Sequence, residues 1–350
     1  MLPRRLGVAA VTLAVSGTTL AACGGSHDAA STQPTASASA SASATAAPAA
    51  IKTCPLTGVP PRKGEQVNRV ALGVKIDNVN DARPQVGIDQ ADLVVEETVE
   101  GGLTRLFAVF QCDSPPLIGP IRSARTSDGD LLRLMHGAVF AFSGANPAVI
   151  PQVQSTSDAV LISYDALGNT YFHRDYGRPA PHNVFSSAKT LLGAGLERDK
   201  KLRAPKPLFT YGASKAKGFP VKSASLTWPD ATAGWTWDGS HWQRTQNGTA
   251  DVLANGHRVS AANVVIMSIT TAYTGLHDVL GNASPDDVVT GSGKVWVMRD
   301  GHVITGTWSR PDRTKPWVFK DKNGHVLPLK PGRTWVELLP RPRQPGFSSK

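Results

Sequence analysis

Three glutamates, one arginine and a Gly-Gly pair fall within thirteen residues in VEETVEGGLTRLF, residues 95–107. The surrounding alternation of apolar residues reads as a strand hairpin. Strand interiors are poor in Glu, because a half-buried pleated surface favours branched and aromatic side chains. A two-residue turn at Gly101-Gly102 sets Thr98 opposite Arg105 and Glu96 opposite Phe107. Strand alternation then puts Glu96, Glu100 and Arg105 on one face, with Glu97 on the other. Two carboxylates and a guanidinium so placed offer either an anion- or sugar-binding surface, or the acid/base pair of a hydrolase.

Other residues extend this candidate face. Asp77 and Asn78 end a strand-like run, VALGVKID, and Arg83 follows in the adjoining VNDARPQ segment. Arg122 and Arg125, in GPIRSAR, precede a helix-like segment, where paired N–H donors and the helix dipole favour an anion. His182 lies in a proline-stiffened loop, HRDYGRPAPHN. The candidate ligand set is therefore Asp77, Asn78, Arg83, Glu96, Glu100, Arg105, Arg122, Arg125 and His182. The competing reading is structural: ion pairs on a solvated face, which contribute little, or a buried Arg–Glu pair that fixes packing.

A hydrolase would use Glu96 with Glu100, or Asp77 with Glu100, since glycosidase chemistry needs two carboxyl groups about 5 to 10 Å apart, one with a raised pKa. Arg105 beside Glu100 would lower that pKa, which tips the reading toward binding and leaves the hydrolase as the alternative. No catalytic residue is assigned. The chain holds no HExxH, GxSxG or P-loop pattern, and its nine histidines show no zinc-ligand spacing, so neither metal nor cofactor is expected. Ser-x-x-Lys occurs at Ser186/Lys189 and Ser214/Lys217 without the partner motifs that give it meaning.

The front of the chain sets the compartment. Residues 1–22 carry two arginines, a short apolar run and small residues, the layout of a secretory signal. The ending LAAC resembles the bacterial lipobox, and that resemblance implies cleavage before Cys23 and lipid on it. Residues 23–50, rich in Ser, Ala, Thr and Pro, cannot bury apolar area and read as a disordered tether with a reach of about 30 Å. The expected location is the extracytoplasmic face of the cell membrane, lipid-anchored. With Cys23 lipidated, Cys54 and Cys112 remain as an even pair and are expected to form a disulfide, the competing reading being two buried thiols. The formal charge of +10 favours anionic surroundings such as lipid head groups or wall polymers. Nucleic acid is not expected, because the basic residues are scattered and no motif interleaves them.

Residues 51–205 alternate strand-like and helix-like segments, and residues 206–340 carry short Trp-, Thr- and Val-rich runs with hairpin turns at Asp300-Gly301 and Asn323-Gly324. Ser127 and Asp130 have capping-box spacing. The fold class is thus α+β: a mixed, layered α/β domain followed by a mainly antiparallel β domain, with a flexible tail at 341–350. The segments CPLTGVP, VKIDNVNDARPQVGIDQADLVVEETVEGGLTRLFAVF, GPIRSAR and APHNVFSS resemble the N-terminal domain of the YerB-like lipoproteins, a bacterial family of undefined function. GRTWVELLP resembles that family's second domain. The resemblance implies a two-domain, membrane-anchored extracytoplasmic protein, and no reaction.

Overall fold

The strand runs of the sequence converge on one large sheet. The computed structural model describes residues 52–350; the signal segment, Cys23 and the tether lie outside the described residues. Strands β1 (Ala71–Asp77), β2 (Leu93–Thr98), β3 (Thr104–Phe110), β4 (Ala138–Phe142) and β5 (Val160–Ser163) come from the N-terminal region. The C-terminal region first forms a smaller antiparallel sheet from β6 (Ser223–Thr227), β7 (Thr232–Trp237) and β8 (Trp242–Gln246). It then returns to the large sheet with β9 (Asn263–His277), β10 (Ala283–Val288), β11 (Gly291–Arg299), β12 (His302–Arg310), β13 (Val318–Asp321) and β14 (Thr334–Pro340).

The twelve-stranded sheet has the main order β13-β12-β11-β9-β14-β2-β3-β1-β4-β5, with β10 paired to β9. β14 joins the two regions: it runs parallel to β9 on one side and to β2 on the other. The N-terminal part is mixed, with β1, β4 and β5 mutually parallel and β3 antiparallel to β1 and β2. The rest is mainly antiparallel. At the β11–β12 turn Asp300 (φ 50°) and Gly301 (φ 72°) are both left-handed, as the Asp-Gly dipeptide predicts.

Both faces of the sheet are covered, so its central strands are buried on both sides and read as continuous apolar runs. Helices α1 (Ser127–Leu132) and α2 (Val149–Thr156) pack Leu131, Leu132, Val149 and Val153 with Val95, Phe107 and Phe140. Helix α3 (Ala188–Arg198) and the smaller sheet cover the opposite face, where Trp228, Trp235 and Trp242 share a core with Val94, Leu106 and Trp335. Cys54 and Cys112 form a disulfide with Cα atoms 6.0 Å apart.

Three local expectations change. Ser127 and Asp130 form no capping box; Asp128 Oδ2 instead accepts from the Arg125 N–H at 2.6 Å, because Thr126 is already helical and the first turn begins earlier. Residues 341–350 are not a free tail: β15 (Gly346–Ser348) pairs with β6, whose outer edge would otherwise stay unpaired. The third change is the turn at the glycines. Glu100–Gly102 form a three-residue 3-10 turn closed by Val99 N–H to the Leu103 carbonyl at 2.8 Å. Gly101 and Gly102 have φ of 70° and 77°, and a Cβ on Gly102 would sit 2.5 Å from Pro229. The extra turn residue shifts the register by one, so Glu97, not Thr98, opposes Arg105. A one-residue slip sends every side chain of one strand to the other face.

Candidate functional site

The register change divides the predicted residues between the two faces. On the face of the smaller sheet, Glu96 is fully buried; its Oε1 accepts from Asn78 Nδ2 at 3.0 Å and Thr104 Oγ1 at 2.6 Å. Its Oε2 meets Arg244 Nη2, whose other terminal nitrogen closes on Asp251. Arg83 bridges the same Asp251 and the Asn78 side-chain oxygen, each at 2.5 Å. The Arg244 guanidinium also stacks 4.7 Å from the Trp335 ring centre. Burial, with Glu96 beside it, raises the Glu337 carboxyl well above the usual range; Glu337 takes an N–H from Trp235 at 2.7 Å. Asn78, Arg83 and Glu96 are therefore parts of a closed network between two layers, away from Arg105.

On the opposite face lies a second buried group that the sequence reading passed over. Lys75, wholly inside, contacts Glu97 and lies 2.8 Å from Asp128, while Ser127 donates to Glu97. Burial pulls the Lys75 ammonium down to about 8 against the pull of Asp128. A lysine inside an apolar strand run was the available signal, since Lys is almost never fully buried unless paired.

At the rim of that face side chains become partly exposed. β1, β2, β4 and β5 all end here, and β3 begins here, so this is the carboxyl end of the parallel strands. Asp77, the last residue of β1, lies opposite Arg105. Its Oδ2 meets His182 Nδ1 at 2.7 Å and Arg122 Nε at 3.1 Å. Burial pushes the Asp77 carboxyl up, but His182, Arg105 and Arg122 outweigh it, and the net shift is downward. Arg125 and Glu100 form a buried pair beside it, and Glu100 also accepts from Ser284 Oγ at 2.7 Å. Glu100 is held below its usual range, its burial outweighed by Arg125 and Ser284.

Arg105 differs from every arginine around it. No carboxylate lies within 4 Å of it among the described residues. Nη1 reaches only the Ser123 carbonyl at 3.3 Å, and Nε is buried without a partner. Burial, reinforced by the like charge of Arg125, pulls the guanidinium down to about 9, still charged at neutral pH. Arg122 Nε lies 3.1 Å from Asp77 Oδ2 as an ion pair without a hydrogen bond, and its terminal nitrogens have no protein acceptor among the described residues. Its side chain is 24% exposed and that of His182 16% exposed. Of the nine predicted residues, the structure thus gathers Asp77, Arg105, Arg122 and His182, with Arg125 and Glu100 adjoining. Ser123, whose carbonyl takes N–H groups from both Arg105 and Arg125, was missed; a backbone acceptor leaves no mark in a sequence. Among the described residues no cluster of three or more His, Cys, Asp or Glu could hold a metal ion.

Comparison with known proteins fits this two-region, one-sheet architecture. Residues 56–202 match the family described as "Protein of unknown function (DUF3048) N-terminal domain", and residues 224–336 match its C-terminal domain. The chain belongs to this family. It is 27% identical over 302 residues to the Bacillus subtilis protein named "Putative lipoprotein YerB", covering 82% of this chain and 86% of that one. The crystal structure of YerB from Bacillus subtilis is similar with a TM-score of 0.72 at 24% identity, covering 85% of this chain and 99% of that chain. The family's C-terminal domain model ends at residue 336, within β14, the strand that joins the two regions. A lipoprotein of undefined function is the description these relationships support, and no helix among the described residues is long and apolar enough to cross a membrane.

Proposed function

We propose that this protein is a lipid-anchored binding or scaffold protein of the cell envelope, and that the rim formed by Arg105, Arg122 and His182 holds an anionic group of an envelope polymer or glycan. The observation that carries the reading is Arg105: a charged, largely desolvated guanidinium with spare N–H donors and no counter-ion in contact. Leaving a charge in that state is costly, and a bound phosphate or carboxylate would satisfy it with forked, charge-assisted hydrogen bonds. The location supports it too, since ligands of open α/β sheets gather at the carboxyl ends of the strands. The hydrolase built on Glu96 and Glu100 loses its basis: the two carboxylates lie in separate networks, each engaged by an arginine.

The anchor is tested by mass spectrometry of membrane-extracted protein. A di- or triacylated N-terminal Cys23 supports it, and an unlipidated mature terminus elsewhere contradicts it. The ligand class is tested by titrating full-length protein in detergent with a polyol-phosphate polymer, a uronate polymer and a neutral glycan. Binding to an anionic polymer, weakened by about 1.5 to 3 kcal/mol in Arg122→Ala, is the expected result. Binding of all three with equal affinity, or of none, defeats the reading.

A further inference from the structure

The rim contains a pair that anion binding alone does not require. His182 Nδ1 faces the Asp77 carboxylate at 2.7 Å, while Nε2 has no hydrogen-bond partner among the described residues. An ionised carboxylate only accepts, so the contact places the imidazole proton on Nδ1 and leaves the Nε2 lone pair free. Arg122 on the same Asp77 oxygen and Arg105 across the strand pair keep that carboxylate charged. The His182 backbone is held by its N–H to the Pro179 carbonyl at 2.9 Å, and the next residue is buried, with Asn183 Oδ1 2.6 Å from Arg174 Nη1. Asp77 thus orients the ring on an anchored backbone. Arg122 shares the Asp77 oxygen that holds the ring, and Arg105 lies opposite Asp77 across the strand pair, both with unspent donors. An oriented imidazole base beside a cationic anion cradle is the equipment for moving a proton next to bound phosphate.

We propose that Asp77 and His182 form a general-base dyad that hydrolyses a phosphodiester held by Arg105 and Arg122. This rests on the anion-binding reading above and adds a reaction to it. Water attacks phosphorus: an O–P bond forms while Nε2 of His182 takes the water proton. The P–O bond to the leaving alkoxide breaks on the opposite side of phosphorus; the alkoxide takes a proton from solvent water, and the imidazolium returns its proton to solvent. The products are a phosphomonoester and an alcohol, and no oxidant or reductant is consumed. The two arginines neutralise the non-bridging oxygens as charge builds on them. His182 is the catalytic residue; Asp77 is a positioning residue that fixes its tautomer. A phosphodiester suits the cradle because it presents two non-bridging oxygens, sharing one negative charge, to two guanidinium groups.

The experiment uses the full chain purified in detergent, with bis(4-nitrophenyl) phosphate and a polyglycerol-phosphate polymer as substrates and inorganic phosphate as the binding probe. Wild-type protein should release nitrophenolate above the blank, and 31P spectra of the polymer should gain a monoester signal. His182→Ala should lose at least about 100-fold in kcat while its melting temperature still rises with added phosphate, held by the two arginines, though by less than that of wild type. His182→Gly should regain turnover when imidazole is supplied, which a merely structural histidine would not do. Asp77→Asn should lower kcat with little change in KM. Wild-type protein that is stabilised by phosphate yet hydrolyses neither substrate overturns the dyad and leaves anion binding standing. Wild-type protein that does neither overturns both. Undiminished turnover in His182→Ala also removes the proposal.

Discussion

Two arginines on opposite faces of one sheet have met opposite fates. Arg244 is closed: each terminal nitrogen ends on a carboxylate, its guanidinium stacks on the Trp335 ring, and none of it reaches solvent. Arg105 is open: its best contact is a carbonyl at 3.3 Å, and no carboxylate touches it. Both sit in strands, and Arg105, though partly exposed where Arg244 is wholly buried, still has its Nε inside, so residue type does not separate them. What separates them is whether the fold supplies the counter-charge. A closed arginine reports packing between layers. An open one, at the carboxyl end of parallel strands, has no counter-charge within contact among the described residues, the feature on which the proposed anion site rests.

The comparison is sharpest in stability. Arg244→Ala leaves Glu96 inside the protein without a cation and Asp251 with Arg83 alone, and a loss of about 3 to 5 kcal/mol is expected in calorimetric or denaturant unfolding. A loss below about 1 kcal/mol would break the assignment of that face to packing. Arg125→Ala should behave as a milder member of the same class, costing about 3 kcal/mol, because Arg125 is buried against Glu100. This choice was open from the sequence, where Arg125 could equally have faced a ligand; its 9% side-chain exposure and its carboxylate partner place it with the closed set.

A third test probes the C-terminal hairpin that overhangs the rim. Asp287 of β10 accepts from Thr98 N–H at 2.7 Å and Thr271 Oγ1 at 2.6 Å, and burial raises its carboxyl to about 6. A raised acid binds its proton more tightly folded than unfolded, so its contribution is most favourable below the unfolded pKa and fades as pH rises through about 6. Asp287→Asn removes that dependence. Its stability relative to wild type should climb by up to about 3 kcal/mol between pH 3.5 and 7.5. A pH-independent difference would show that Asp287 is not held in this state.

Much of the fold was legible because the apolar runs are long and the turn dipeptides are specific. VALGVKID, AVFAFSG and RTWVELL all became central strands, and Asp300-Gly301 turned as its chemistry demands. The sharing of one sheet by both regions was not legible, because β14 pairs with β2 across more than two hundred residues and strand-neighbour choice leaves no local pattern. The site was legible in its residue types and misread in its register. Gly-Gly supports a two-residue turn as readily as it completes a three-residue one, and that single residue moved Glu96 away from Arg105 and brought Glu97 to it. Arg105, Arg122, Asp77 and His182 survived as neighbours because strand ends and the loop before α3 meet at one edge, whichever face each glutamate takes.

The smallest expected stability change carries the central claim. Arg105→Gln removes a cation that no carboxylate contacts, so the full chain in detergent should melt within a few degrees of wild type. Thermal unfolding should be followed for both proteins with and without inorganic phosphate. The account predicts a phosphate-dependent rise in melting temperature for wild type, falling with added salt, and none for Arg105→Gln. An equal rise in both proteins, or an Arg105→Gln variant destabilised as severely as Arg244→Ala, would contradict it.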